Sequence, residues 1–472
     1  MSEEGDFTLF LTQWAYTLTI SAAIFRFKNY NSYLGDGFKP ETFQMGTEIM
    51  IKKIYVYFSL VVLSFNSAQL SQATPLPKVN PELVGMSSER LDRITQTFQR
   101  HIDAKSLPGV VIRIAREGKL VYSSAIGWQD IESNIPMAPD SIFRIYSMTK
   151  PIVSVAAMTL VESGFLSLSD PVSKYIPLFK EISVGSETLD NDGLKSLKTT
   201  KIRKPITIQD LMRHTSGITY GAFGKRTLVK EKYLAANLSS LDWTLEAYAN
   251  TLATLPLVNE PGTTWEYGRS TDVLGRVVEV VSGMSLDEYL NETIFAPLRM
   301  HDTSFGVPKH KHDRIAENMV DIKTGKKIDL IDVRKPMTLF AGGHGLSSTA
   351  DDYLRFCQMM LNGGELDGVR ILSPKTVTFM STNHLNENIS AGSLYLPGPG
   401  YGFGLGFATR LEDGQSVWPG SIGEYFWAGY GGTYFWIDPT ESLAVSFMSQ
   451  DPYRRNEHRV LLRNLVYQSI IE

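Results

Sequence analysis

A chain of 472 residues with 43% hydrophobic and 20% charged side chains has ample material for a large core, which excludes wholesale disorder and fibrous repeats. Fifty acidic against 46 basic residues leave a net charge of -4, so the chain as a whole offers nucleic acid no basic field. The single cysteine, Cys357, excludes an intrachain disulfide and a cysteine-based metal site, and within DDYLRFCQMMLNGG it reads as a small core residue.

Residues 1–49 are a leader of doubtful status. From Met50 onward, Lys52 and Lys53 precede the apolar run Ile54–Phe65, and small residues follow at Ala68 and Ala73. This is the layout of a secretory signal peptide over 50–73, and the run is shorter than the roughly 20 residues a membrane span needs. The expected initiator is therefore Met50. The mature chain is expected to be exported, periplasmic or secreted, after cleavage at Ala68 or Ala73. The alternative is membrane association through an uncleaved N-terminal segment, Leu9–Phe25. Thr12, Gln13, Thr17, Thr19 and Ser21 weaken that stretch as an anchor.

Pro75, Pro77 and Pro81 mark a linker over 74–86, leaving 87–472 as one domain. Ser87 or Ser88 caps a helix running to about Ile102. Pro108-Gly109 ends the connection, and GVVIRIAREGKLVYSSAIG predicts a β-hairpin turning at Glu117-Gly118. From about 147 to 330 the chain reads as mostly helical, with polar connections such as 181–205. Leu443–Met448 predicts a strand. Val460, Leu461, Leu462, Leu465, Val466 and Ile470 give 455–470 the apolar face of a helix lying on a sheet. Both chain ends thus build one layer around an inserted helical region. The expected class is α+β (an α/β sandwich), an antiparallel sheet flanked by helices, with no internal repeat and no Rossmann or Walker glycine pattern.

The strongest local chemistry is Ser147-Met148-Thr149-Lys150. Val153–Val161 is apolar and helix-compatible, Gly164 suits the C-terminal cap, and Pro151 is tolerable only near a helix start. Ser147 therefore sits at a helix N-terminus with Lys150 one turn on, on the same face. An alcohol becomes a nucleophile when a neighbour takes its proton, and burial favours the neutral amine able to do so. Tyr267, in WEYGRS before the helical pattern DVLGRVVEVVSG, stands where a phenol could share that proton. Trp427-Ala428-Gly429-Tyr430-Gly431-Gly432 permits close backbone approach, and Tyr434–Ile437 continues as a strand whose edge could supply an oxyanion-hole N–H.

In this order, SMTK, YGRSTDVLG and WAGYGG resemble the serine β-lactamase and penicillin-binding superfamily. The resemblance is to its class C β-lactamase-like branch, and most of all to the family VIII carboxylesterases. LMRHTSGI (211–218), PGTTWEY (261–267) and AGGHGLSSTADDYLRF (341–356) extend it from about residue 80 to the C-terminus. It implies acylation of Ser147 by an ester or amide, with Lys150 and Tyr267 sharing acid and base duties. The backbone N–H groups of Ser147 and Tyr430 would form the oxyanion hole, and water would release the acid. The implied fold is the β-lactamase/transpeptidase sheet with helices on both faces. Two departures stand out. Arg269 replaces the asparagine of Tyr-x-Asn, and Trp427-Ala428-Gly429 replaces Lys-Thr-Gly. Losing that lysine removes a charge for a substrate carboxylate, which favours esters with modest acyl groups over β-lactams. Arg269, Trp427, Gly429 and His344 are the expected pocket residues.

Other readings are weaker. A Ser-His-Asp triad lacks its Gly-x-Ser-x-Gly elbow, and His214 and His344 sit in turn-like segments. His310-Lys311-His312-Asp313 reads as solvated surface, so neither metal nor cofactor is expected. A β-lactamase, a D-amino-acid peptidase or amidase, or a non-catalytic penicillin-binding-like sensor or wall-binding module would carry the same residues. The expected partner is a small-molecule ester or amide.

Overall fold

The computed structural model describes residues 75–189 and 191–472; the leader 1–49 and the signal-like segment 50–73 lie outside the described residues. A central antiparallel sheet draws on both ends of the chain. β1 (Gly109–Arg116), β2 (Lys119–Asp130) and β3 (Ile135–Pro136) come from the N-terminal side. β4 (Tyr401–Phe403), β5 (Ala408–Arg410), β6 (Tyr425–Ala428), β7 (Tyr434–Asp438) and β8 (Leu443–Ser449) come from the C-terminal side. Their order across the sheet is β4-β5-β6-β7-β8-β1-β2-β3. The seam is β1 against β8, from Val110 opposite Ser449 to Arg116 opposite Leu443. β1 turns into β2 at Glu117-Gly118, both at positive φ (52° and 72°), the twist a tight hairpin requires.

Five helices bear on the site: α1 (Ser88–Asp103), α2 (Thr149–Glu162), α3 (Ser270–Ser282), α4 (Ala350–Leu361) and α5 (Arg455–Tyr467). α1 is capped by Ser87, whose side chain accepts from the Arg90 amide. On one face of the sheet Phe98 of α1 meets Phe447 of β8, and Tyr467 of α5 stacks on Trp436 of β7. On the other, Arg113 of β1 pairs with Asp351 of α4, and Tyr353 packs on Phe435 of β7. With both faces covered, all eight residues of β1 are buried, so its sequence is a continuous run rather than an alternation. Cys357 is fully buried on α4, as its setting suggested. No helix among the described residues is long and apolar enough to cross a membrane.

The inserted region is helical over much of its length, with two corrections, one of them Ser304–Phe305, which pairs as a short strand with Leu346–Ser348. The stretch 181–205 is not merely a polar connection: Ser183–Leu189 pairs with Lys195–Lys201 as a hairpin. None of its strand residues is buried, so no apolar alternation marks it in the sequence. Val184, Thr188, Thr199 and Thr200 favour extended backbone nonetheless. Gly185 lets it close on Val229, whose side chain would stand 2.4 Å from an added Cβ.

Beneath the C-terminal half of the sheet lies a buried charge cluster. Glu424 takes salt bridges from Arg410 (3.0 Å) and Arg463, and hydrogen bonds from the Tyr401 (2.5 Å) and Tyr467 (2.9 Å) hydroxyls. Burial alone would raise its carboxyl, but Arg463, Tyr401 and Arg410 hold it below its ordinary value. Glu424→Gln would leave two guanidiniums in the interior without counter-charge. A loss of about 3–5 kcal/mol is expected in urea unfolding, and an unchanged midpoint would refute it.

Candidate active site

Ser147 lies in a 3₁₀ turn, Tyr146–Met148, directly before α2. Pro151 is the third residue of α2, where its missing N–H would be unbonded anyway, and Gly164 ends the helix at φ 77°. Lys150 then reaches back. Its Nζ is 3.3 Å from Ser147 Oγ, donates to the Gly343 carbonyl at 2.7 Å and reaches the Tyr220 hydroxyl at 3.0 Å. It is 1% exposed, sealed behind the serine.

Tyr267 enters from the loop preceding α3. Its ring, not its hydroxyl, meets the lysine, with Nζ 4.7 Å from the centroid. The Tyr267 hydroxyl accepts from Trp427 Nε1 at 3.3 Å. Trp427 is therefore more than an apolar replacement for a lysine, because its indole N–H orients the phenol. The phenol bonded to Lys150 is Tyr220, which the sequence reading left out. It stands two residues beyond LMRHTSGI, but no helix start follows to single it out.

The electrostatics around Lys150 pull in two directions. Burial by itself pulls the amine toward neutrality. The phenols of Tyr220 and Tyr267, the Tyr220 hydrogen bond and Asp272 outweigh it, and Lys150 ends above its ordinary value. Tyr220 is pushed up to about 12, chiefly by burial, with Lys150 opposing. Asp272 of α3, fully buried, accepts from the Gly343 N–H at 2.8 Å and so fixes the segment whose carbonyl faces Lys150. His344 stands beside it, Nδ1 3.7 Å from Asp272. Burial pushes this imidazole down to about 4, against the pull of Asp272, so it is neutral at pH 7.

Ser147, Tyr267, Arg269, His344, Trp427, Gly429 and Tyr430 line one cleft of ≈ 950 Å³. The turn after β6 is closed by the Gly429 N–H on the Thr433 carbonyl at 2.9 Å. A Cβ on Gly429 would stand 2.4 Å from the Ile145 carbonyl, so glycine is what lets the turn lie against the serine's own segment. Among the described residues, neither the Ser147 nor the Tyr430 amide finds a carbonyl acceptor outside its own turn. Two N–H groups from adjoining segments are what a developing oxyanion needs.

Arg269 donates to the Tyr248 hydroxyl and lies 5.0 Å from the Tyr220 ring centroid. Its guanidinium buttresses phenols. The cleft carries two more cations, Arg455 and Arg459, one turn apart on α5, and among the described residues neither has a carboxylate within salt-bridge distance. Arg459 donates to the Gly429 (2.6 Å) and Thr433 (3.1 Å) carbonyls, leaving its buried Nε unpartnered. The sequence reading missed both, although R-x-x-x-R at a helix start was the available signal.

His214 is packed at φ 59° among Trp265, Tyr267 and Phe403, and burial pushes it well down. In the 3₁₀ helix Lys309–Arg314, Lys311 pairs with Asp302 and His312 bonds the Val307 carbonyl. Among the described residues no group of three or more His, Cys, Asp or Glu is arranged to hold a metal.

Comparison with known proteins finds relatives along most of the chain. A family model described as Beta-lactamase matches residues 94–468. Protein Rv1367c of Mycobacterium tuberculosis is 35% identical over 370 residues, covering 76% of this chain and 90% of that one. Esterase EstB of Burkholderia gladioli is 28% identical over 400 residues, covering 79% and 94%. Among solved structures, EstCE1, described as a hydrolase with promiscuous acyltransferase activity, superposes with a TM-score of 0.67 at 27% identity. That match covers 80% of this chain and 99% of that one.

Proposed function

The chain belongs to the Beta-lactamase family, in its branch of serine esterases and acyltransferases, and from that premise we propose that Ser147 is the nucleophile, Lys150, Tyr220 and Tyr267 its proton relay, and the Ser147 and Tyr430 amides its oxyanion hole. The observation that carries this is Ser147 Oγ, on the wall of a ≈ 950 Å³ cleft, 3.3 Å from a buried lysine. Oγ attacks the ester carbonyl, and its proton passes into the relay. The oxyanion collapses, and the alcohol leaves with a proton from the same relay. Water or a second alcohol then attacks the acyl-enzyme, giving hydrolysis or acyl transfer. With Lys150 held above its ordinary value, the relay must give up a proton before it can take the serine's. That titration belongs to the coupled group, not to one residue.

Phe223, Leu234, Leu238, Leu241 and Leu396 line the apolar part of the cleft. Its volume lies near the top of the range of about 300–1,000 Å³ typical of small-molecule pockets, more than a modest acyl chain fills. Esters with a bulky apolar acid or alcohol are therefore the favoured substrates. Arg455 and Arg459 support a second reading, in which the substrate also carries a carboxylate, as β-lactams and D-amino-acid peptides do. A panel of short and bulky p-nitrophenyl esters, a chromogenic β-lactam and D-amino-acid amides tests both. Turnover of the β-lactam without turnover of any ester would overturn the ester assignment. We also propose export directed by 50–73, which N-terminal sequencing of the natural protein tests.

Tyr220→Phe should lower kcat/KM for esters by about 10²-fold or more, the range for losing a positioned acid or base. Wild-type kcat/KM in that variant would remove Tyr220 from the relay.

A further inference from the structure

Tyr146, directly before the nucleophile, has a φ of +45°, a region that bulky side chains enter only under constraint. Such strain costs roughly 1–3 kcal/mol and persists where surrounding contacts over-determine it. Those contacts run in two directions. Toward the oxyanion turn, the Tyr146 ring meets Tyr430 edge to face at 5.6 Å, and an added Cβ on Gly431 would stand 3.0 Å from it. Toward the opposite wall, the Tyr146 hydroxyl accepts from the Ile331 N–H at 3.1 Å. Arg144 Nε donates to the Ile331 carbonyl from two residues upstream, so both polar groups of Ile331 are held by the serine's own segment. Asp329, Leu330 and Ile331 line the cleft. That stretch has no regular structure of its own and depends on such ties for its place.

We infer that Tyr146 is a positioning residue for substrate selection: its phenol pins the 329–331 wall to the nucleophile and oxyanion turn, so this wall sets which acyl or alcohol groups fit. The inference rests on the serine-esterase reading. In that reading the ester must lie between Ser147 and the walls of the cleft, and Leu330 forms part of one wall.

The test is a double-mutant cycle of Tyr146→Phe and Leu330→Ala on a bulky and an acetyl p-nitrophenyl ester, with thermal unfolding of each variant to establish folding. Tyr146→Phe keeps the ring against Tyr430 and removes the acceptor for Ile331. It is expected to change the bulky-to-acetyl ratio of kcat/KM about fivefold, the worth of one hydrogen bond, with the change in KM. The two substitutions should be non-additive by roughly threefold or more, since they act through one wall. An unchanged ratio in Tyr146→Phe, additive effects, or a change confined to kcat would each overturn the inference. Failure of the esterase reading shows separately, as wild-type protein that forms no acyl-enzyme at Ser147 by mass spectrometry.

Discussion

Ser147→Ala is expected to abolish ester turnover, by roughly 10⁴-fold or more, while the protein stays folded. The size follows from what the hydroxyl alone supplies. The oxyanion amides belong to the backbone and survive the substitution, as do the cleft walls, so residual binding remains. Without Oγ no acyl-enzyme forms, and the relay behind it has no proton to accept. Ser147 is half-buried at the cleft wall, and losing one hydroxyl there leaves the packing of α2 untouched. Intact-mass measurement should show an acyl adduct on the wild type during turnover of a slow ester and none on the variant. Wild-type turnover by Ser147→Ala would reject the nucleophile.

Lys150→Met should be nearly as severe, about 10³-fold or more in kcat/KM. It removes the group that links Ser147 Oγ, Tyr220 and the Gly343 carbonyl. The carbonyl left unpaired costs about 1–3 kcal/mol. Removing a desolvated charge offsets part of that, so the variant should fold. The pH dependence has a definite sign. Catalysis needs the relay one proton poorer, so wild-type kcat/KM rises with pH on its acid side. Stability runs the other way. The folded site holds Lys150 above its ordinary value of 10.5, so its contribution is complete below that pH and is lost as the pH rises through the folded value. Paired pH–rate and pH–stability curves for wild type and Lys150→Met check both signs. Ester turnover by Lys150→Met at the wild-type rate would exclude the lysine.

Much of the site was legible because its signals are local. Ser147, Lys150 and Pro151 fall within one helical turn, and Gly429 marks a turn that must approach closely. That both chain ends share one layer was legible because each carries an apolar run of strand length beside a helical apolar face. What stayed hidden depends on residues far apart in sequence. Tyr220 matters only because Lys150, 70 residues earlier, points at it. The upward shift of Lys150 follows from two phenols and Asp272, which outweigh burial, and no spacing rule reports that balance. Arg269 was an expected pocket residue because it adjoins Tyr267. Tyr248 and Tyr220 claim it, and the two further cleft cations, Arg455 and Arg459, come from α5 at the far end of the chain. The hairpin at 183–201 was hidden because it buries almost nothing.

The seam between β1 and β8 also governs how the molecule can form. Ser449 Oγ bonds the Gly109 carbonyl across 340 residues of sequence. The sheet therefore cannot close until its last strand has been made, and the loop entropy of that meeting must be met before any of its pairing is gained. Such long-range topology folds slowly and passes through partly ordered states. A chain growing from the ribosome would carry α1 and the β1–β2 hairpin with one exposed sheet edge until β8 arrived to cover it. Truncation ahead of Leu443 should therefore leave an aggregating chain rather than a smaller folded one.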